Sequence, residues 1–124
     1  MQFTESHAIY LQIAKIMEEK ILRKEWLAEM RIPSVRDLAV AMEVNPNTAV
    51  RAYEILQHKE VIYNKRGIGY FVSGDAYAII KKEWKKNFEA QELPEFFKNI
   101  ALLGFSMEEI STLYAKHHEK NQKL

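Results

Sequence analysis

Two neighbouring stretches of the chain decide its fold: Ile32-Pro33-Ser34-Val35-Arg36-Asp37-Leu38-Ala39 and Val44-Asn45-Pro46-Asn47-Thr48-Ala49-Val50-Arg51-Ala52-Tyr53. Each contains a polar residue, Ser34 or Asn45, that can accept a hydrogen bond from an amide of a first helical turn. Pro46 follows Asn45 at the first helical position, where its missing N–H costs nothing. The stretches therefore predict two short helices joined by a tight turn at Glu43 and Val44.

The second predicted helix has one apolar and one polar side. Four residues share the apolar side at helical spacing: Ala49, Ala52, Tyr53 and Leu56. The polar side presents Asn47 and Arg51 near the N-terminal end, which helix-turn-helix proteins insert into the major groove of DNA. Asparagine pairs well with adenine and arginine with guanine, so this face predicts base contacts. The alternative is an ordinary solvent-exposed face.

A β-hairpin is predicted directly after these helices. Val61-Ile62-Tyr63 and Tyr70-Phe71-Val72 are β-rich runs on either side of the polar loop 64–69. A hairpin in this position is a wing, with Lys65 and Arg66 at its tip. Gly67 permits a positive φ and a close approach of the backbone to phosphate. These three residues are therefore predicted to contact the DNA backbone.

Two smaller points complete the predicted DNA surface. Arg36 lies in the first turn of its helix, where a cation opposes the helix dipole, so an anion such as phosphate is expected beside it. Thr48 stays ambiguous between phosphate contact and support of the cap at Asn45. The full set of predicted DNA-binding residues is Ser34, Arg36, Asn45, Asn47, Thr48, Arg51, Lys65, Arg66 and Gly67.

The rest of the chain is predicted to be helical. An amphipathic helix runs from about Ser6 to Arg23. Turn residues at 73–75 mark a boundary between a winged helix-turn-helix domain, residues 1–73, and a helical dimerisation region, residues 74–124. The predicted fold class is mainly α with a small β-hairpin wing and a short C-terminal α-helical dimerisation region.

The predicted dimerisation region contains three helices. The first extends to about Ala90, and Pro94 opens the second, which Gly104 ends. Ser106 and Glu109 form a capping box at the start of the third, which is expected to fray from His117 onwards.

These modest helices carry more large apolar side chains than they can bury alone. We therefore expect a second copy of the chain to cover them. The predicted dimerisation residues are Tyr77, Ile80, Trp84, Phe88, Phe96, Phe97, Ile100, Leu103, Ile110, Leu113 and Tyr114. Which aromatic side chains pack within one chain and which face the partner stays open. The nearby lysines at 81, 82, 85 and 86 are expected to be solvated.

Composition limits the classes of function. The net charge is only +1, and acidic and basic side chains balance on both sides of Asp75, so any DNA affinity must come from local charge. Cysteine is absent, and no nucleophile–base pair, carboxylate dyad or phosphate-binding glycine loop is found. We therefore expect no catalysis and no cofactor. We also expect no metal, because the adjacent His117 and His118 point about 100° apart on a helix. No leader or membrane-spanning run is found, so a cytoplasmic protein is expected.

Several motifs in order resemble the GntR family of bacterial winged-helix repressors, and its YtrA-like subfamily in particular. These motifs are Ile9-Tyr10-Leu11-Gln12-Ile13, Pro33-Ser34-Val35-Arg36, Asn45-Pro46-Asn47-Thr48 and Gly67-Ile68-Gly69-Tyr70-Phe71-Val72. The resemblance covers the whole chain. It implies a homodimer on a near-palindromic operator, with each recognition helix in a major groove and each wing at a minor groove. It also implies autoregulation or control of a transport operon, without a large ligand-binding domain.

The chain also departs from the pattern it resembles. Lys24, Glu29 and Glu60 stand where glycine is usual, and Ala8 replaces a frequent proline. Pro46 stands where a basic residue is frequent, so Asn47 and Arg51 must supply more of the DNA contact. Two further classes of function stay open: a winged-helix module that binds a protein, and a sensor that binds a small-molecule effector with its aromatic tail.

Overall fold

The computed structural model describes residues 5–122 of the chain. Within them the α-helices are α1 (Glu5–Leu22), α2 (Val35–Met42), α3 (Pro46–His58), α4 (Ala76–Asn87), α5 (Leu93–Leu103) and α6 (Met107–Gln122). The strands β1 (Ile62–Lys65) and β2 (Gly69–Val72) lie between α3 and α4. The predicted mainly α fold with a β-hairpin wing is confirmed. None of these helices has the length and apolarity that a bilayer-spanning segment needs.

The residue contacts divide the chain into two compact units, Met1–Trp84 and Lys85–Leu124. The division falls within α4, so the first half of that helix packs with the winged part of the molecule. Ile80 of α4 is 1% exposed and belongs to the same hydrophobic core as α1, α3 and the hairpin. The boundary after Ser73 between a DNA-binding domain and a dimerisation region stays a prediction.

In the first unit, α3 packs against both α1 and α2. The largest fully buried side chains are Tyr53, Met17, Ile21, Leu56, Ile62, Ile80, Val61 and Val72. Tyr53 joins three elements, because its ring packs edge-on against Tyr70 at 4.8 Å and its hydroxyl donates to the carbonyl of Pro33 at 2.5 Å. This bond ties α3 to the segment that begins α2.

The predicted helix caps are confirmed. The Asp37 amide donates to Ser34 Oγ at 3.0 Å, and the Asn47 amide donates to Asn45 Oδ1 at 2.8 Å. In the second unit, Ser106 and Glu109 exchange both bonds of a capping box, at 3.0 and 3.1 Å. These bonds satisfy amides that have no partner within their own helix.

The hairpin is longer than predicted. Its antiparallel register runs from Ile62 opposite Val72 to Lys65 opposite Gly69, so the turn shrinks to residues 66–68. The chain before α2 adds a third extended segment, since the Ile32 amide donates to the Tyr70 carbonyl at 3.0 Å. Arg31 consequently lies opposite Phe71 in an antiparallel bridge.

Three turns keep a left-handed backbone without glycine. Lys24, Glu29 and Glu60 have φ values of 62°, 66° and 63°, at the positions where the resemblance led us to expect glycine. Glu43 in the helix-turn-helix turn has a φ of 56°. Non-glycine residues in this region carry backbone strain, which the surrounding packing must offset. The turn geometry is therefore retained although the glycines are replaced.

The connection between α4 and α5 corrects one prediction. No break precedes Pro94, because a π-helical turn, Phe88–Glu92, joins the two helices, and the Leu93 amide donates to the Phe88 carbonyl. Proline cannot donate to the carbonyl four residues earlier and clashes with it. A wider turn makes room for the proline ring, so the chain remains helical from α4 into α5.

The last helix also extends further than predicted. The expected fraying from His117 is wrong for residues 117–122, which α6 includes, and Lys123 lies outside the described residues. Pairs one turn apart support this end of the helix: Tyr114 stacks on His118 at 5.8 Å, and Asn121 Nδ2 lies 2.8 Å from His117 Nε2. Such pairs stabilise an exposed helix by a few tenths of a kcal/mol each, roughly 0.2–0.5.

Candidate nucleic-acid interface

The buried side of α3 determines which of its side chains are exposed. Ala49 and Ala52 are fully buried, and this orientation leaves Asn47 and Arg51 exposed on the other side. The Asn47 side chain makes no hydrogen bond with the part of the chain that the structure describes. The Arg51 guanidinium lies 5.7 Å from the centre of the Tyr10 ring, against which its planar group can rest. Asn47 can therefore reach a ligand without losing a hydrogen bond to the described residues, and Arg51 is exposed beside Tyr10.

The two capping residues hold the N-termini of α2 and α3. Ser34 and Asn45 are exposed, and each uses its side-chain oxygen for a capping bond. Arg36 follows Ser34 in the first turn of α2 and is exposed. Helix N-termini attract anions through their free amides and their dipole. This arrangement suits phosphate groups of a nucleic acid.

Thr48 is half-buried in the first turn of α3. Its amide donates to the Asn45 carbonyl at 2.9 Å. Its hydroxyl makes no hydrogen bond to any residue within 5–122 that the structure describes. The cap at Asn45 is thus formed without this hydroxyl, which leaves it available to a phosphate oxygen.

The wing exposes two basic side chains and the backbone of a glycine. Lys65 is the last residue of β1, and its Nζ lies 4.5 Å from the centre of the Phe71 ring, so this ammonium rests on the hairpin. Arg66 and Gly67 form the turn itself, and Gly67 has a φ of 80° with open space around it. The predicted tip residues are therefore consecutive, with Lys65 at the end of β1 and Arg66 in the turn.

Sequence reasoning missed Arg31. A Cβ built at Gly69 would lie 3.0 Å from Arg31 Nε, so the guanidinium crosses the wing backbone where glycine leaves room for it. Arg31 thereby adds a cation to the wing that carries Lys65 and Arg66. Its position immediately before the Ile32-Pro33-Ser34 stretch was the available signal, but only the bridge to Phe71 brings it to the wing.

The predicted dimerisation residues fall into two groups. Ile80 is buried and Trp84 is half-buried in the first unit, where the Trp84 indole donates to Glu18 at 3.0 Å. We therefore leave these two side chains out of the dimer surface. Tyr77, also in the first unit, is 37% exposed. The rest lie in the second unit, where none of residues 85–121 is buried: Phe88, Phe96, Phe97, Ile100, Leu103, Ile110, Leu113 and Tyr114.

Over the residues that the structure describes, no three histidine, cysteine or carboxylate side chains are grouped as metal ligands. The pKa of Tyr63 is raised by its hydrogen bond to Glu29, which braces the wing against the turn after α1. That bond is structural, since it ties strand β1 to the segment between α1 and α2.

Comparison with known proteins gives this surface its context. Residues 9–72 match the family described as bacterial regulatory proteins, gntR family. The chain is 36% identical over 109 residues to the uncharacterised HTH-type transcriptional regulator YhcF of Bacillus subtilis, covering 88% of each protein. It is 30% identical to the HTH-type transcriptional repressor YtrA of the same organism, covering 85% of this chain and 80% of YtrA.

A solved structure agrees with these relatives. A GntR-family transcriptional regulator from Bacteroides thetaiotaomicron is 44% identical and superposes with a TM-score of 0.69, covering 91% of this chain and 98% of that one. The family match over residues 9–72 includes both helices of the helix-turn-helix and the wing. The chain therefore belongs to the gntR family of bacterial regulatory proteins and is a DNA-binding transcriptional regulator, not an enzyme.

Proposed function

We propose that the chain is a cytoplasmic repressor that binds a near-palindromic operator as a homodimer and controls a transport operon. The proposal combines a DNA-reading surface in the first unit with self-association through the second. The observation that carries it is the set of large apolar side chains of the second unit that are exposed among the residues the structure describes.

The second unit supports self-association. Phe96, Phe97 and Leu113 are 41%, 48% and 51% exposed, and Leu102 and Leu103 exceed 70%. A helical unit of this size, Lys85–Leu124, is about as small as units that need oligomerisation, a metal or disulfides for stability. Cysteine is absent from the chain, so disulfides are excluded. Burial of these side chains against a second copy supplies the missing hydrophobic stabilisation.

A homodimer accounts for a near-palindromic site. Each protomer carries one α3 and one wing, and a two-fold axis repeats this pair on the second half-site. In each half-site Asn47 and Arg51 are proposed to contact bases. Ser34, Arg36, Asn45 and Thr48 are proposed to contact phosphates from the helix N-termini, and Lys65, Arg66 and Gly67 from the wing. These local contacts compensate for the net charge of only +1.

Repression is supported by the similarity to YtrA, which is named a transcriptional repressor. Control of a transport operon rests on the YtrA-like motifs of the sequence. An in vitro transcription assay on the operator fragment tests the sign of regulation. We expect less transcript as protein is added, and an increase would identify an activator.

The decisive experiment selects bound sites from random double-stranded DNA with the purified full-length chain. We expect a near-palindromic sequence whose half-site centres lie about one helical turn, or a multiple of it, apart. Recovery of no enriched sequence would contradict operator binding. Recovery of a single, unrepeated half-site would contradict the dimeric arrangement.

Self-association is tested separately by light scattering after gel filtration. The variant Phe97→Glu places a charge on the exposed face of α5 and is expected to shift the dimer toward monomer. The control Val40→Glu alters an apolar side chain of α2 that is 74% exposed. This control is expected to leave the mass unchanged. A monomeric wild-type chain would overturn the dimer proposal.

A further inference from the structure

Val50 is an apolar side chain on the outer face of α3, where its exposed neighbours are polar. It is 38% exposed, and exposed polar residues flank it one turn before and one turn after, Asn47 and Glu54. It is not among the side chains that form or pack against the hydrophobic core of the described residues. More than a third of this residue is therefore open to a ligand on the outer face of α3.

Helix stability gives no reason for a valine at this position. Its β-branched side chain loses rotamer freedom in a helix, so valine is a poorer helix former than alanine. The neighbouring positions 49 and 52 are alanines. Helix propensity therefore does not account for the valine at position 50, and its place beside Asn47 and Arg51 becomes the relevant observation.

Val50 lies close to the residues proposed to contact bases. At about 100° per residue, Val50, Asn47 and Arg51 occupy one arc about 100° wide on the helix surface. Val50 is about 4.5 Å further along the axis than Asn47. Successive base pairs are about 3.4 Å apart. If Asn47 contacts a base, Val50 therefore lies close enough along the helix to reach a neighbouring base pair.

The major groove offers one apolar group for such a side chain, the C5 methyl of thymine, which protein side chains read by apolar contact. We propose that Val50 contacts a thymine methyl in each half-site and thereby selects thymine next to the base contacted by Asn47. This inference rests on the proposed operator binding and adds a base-selecting residue to it.

The test is a double-substitution cycle on the operator obtained by selection. Each thymine of one half-site is replaced in turn by deoxyuridine, which removes only the C5 methyl. At one position we expect wild-type affinity to fall about fourfold, the factor that corresponds to burying one methyl-sized group. For Val50→Ala the same replacement is expected to have no effect.

Two controls keep the result interpretable. Val50→Ala is expected to fold normally, because alanine is the better helix former, and its thermal midpoint is measured alongside its affinity. Val40→Ala removes an exposed valine from α2 and is expected to keep the wild-type sensitivity to deoxyuridine.

The outcomes separate this inference from the proposed function. A selected half-site without any thymine at the bases under α3 overturns the role of Val50 while leaving operator binding intact. Equal deoxyuridine effects on wild type and Val50→Ala overturn it as well. Failure of the wild-type chain to select any DNA site instead contradicts the proposed function itself.

Discussion

Lys59 at the end of α3 forms an ion pair with Glu18 near the C-terminal end of α1, with 2.8 Å between Nζ and Oε2. Glu18 is 4% exposed, and its other oxygen accepts the Trp84 indole N–H. Lys59 also contacts Glu83 at 2.6 Å. Burial alone lowers the pKa of Lys59, but the hydrogen bonds to Glu18 and Glu83 outweigh it and raise the pKa. The cluster joins α1, α3 and α4.

Removing the buried carboxylate should destabilise the first unit. Glu18→Ala leaves Lys59 and the Trp84 indole without this partner. Breaking a buried pair costs about 3–5 kcal/mol, and because Lys59 is partly exposed and keeps Glu83, we expect about 2 kcal/mol. The free energy of unfolding is measured in denaturant.

The adjacent Glu19 offers a matched control for this substitution. It pairs with Arg23 at 3.7 Å, with side chains 51% and 65% exposed. Glu19→Ala is expected to change stability by less than about 0.5 kcal/mol. Equal losses for the two variants would show that the buried cluster contributes nothing beyond an ordinary surface charge.

Tyr53 should make the fold sensitive to alkaline pH. Burial, with smaller contributions from Tyr70 and Asp37, raises the pKa of Tyr53 well above its ordinary value of 10.0. Below pH 10 the hydroxyl is protonated in both states, so its contribution is complete. Above pH 10 the unfolded chain loses the proton first, and the free energy of unfolding falls by up to about 1.4 kcal/mol per pH unit.

The variant Tyr53→Phe tests this dependence. It loses the bond to the Pro33 carbonyl, and we expect about 1 kcal/mol less stability at pH 7. Its stability should then fall less steeply than that of the wild type between pH 10 and 11. Denaturant unfolding at several pH values measures both slopes, and identical slopes would contradict the assignment to Tyr53.

Relieving a left-handed turn should stabilise the protein. Glu60 is exposed with a φ of 63°. Glycine removes strain of about 1–2 kcal/mol there but adds about 0.5–1 kcal/mol of unfolded-chain entropy. We therefore expect Glu60→Gly to raise stability by about 0.5–1 kcal/mol in thermal unfolding. Glu54→Gly, within α3, should instead lower it by about 1 kcal/mol.

Arg51 should determine one base position. Its guanidinium is exposed on α3 and rests near the Tyr10 ring. We expect Arg51→Ala to lose about 1–3 kcal/mol of discrimination at one position per half-site. Affinities for the selected operator and its single-base variants measure this. A uniform loss at all positions would indicate a phosphate contact instead.

The wing should act through phosphates. Arg66 lies at the exposed turn of the hairpin. We expect Arg66→Ala to weaken all DNA sequences similarly and to lower the slope of log affinity against log salt by about one. Lys98→Ala, in the second unit and paired with Glu95, should leave the slope unchanged. A change in sequence preference would contradict this role for Arg66.

The features that the sequence predicted well depend on residues only a few positions apart. The caps at Ser34 and Asn45, the capping box of Ser106 and Glu109, and the hairpin around Gly67 are local hydrogen bonds and turns. Their geometry follows from residue type and spacing alone. For this reason the helix-turn-helix, its wing and its polar face were predictable from sequence.

Local sequence patterns predicted less well which surface covers an apolar helix face. Tyr77, Ile80 and Trp84 follow the same helical spacing as Phe88, which suggested one continuous dimer face. The structure instead buries Ile80 in the first unit. Periodicity identifies an apolar face but not the surface that covers it. The π-helical turn before Pro94 is a similar case, because the proline signals a boundary that a wider turn can absorb.

By itself the sequence determined the two capped helices, the hairpin and the side chains that face outward from α3, since these depend on backbone preferences within about one turn. Only the tertiary structure decided that Arg31 crosses the wing at Gly69 and that Glu18, Lys59 and Trp84 meet. The bridge to Phe71 brings Arg31 to the wing, and the packing of α1, α3 and α4 brings the other three together. Burial is a property of the assembled core, which no local spacing encodes.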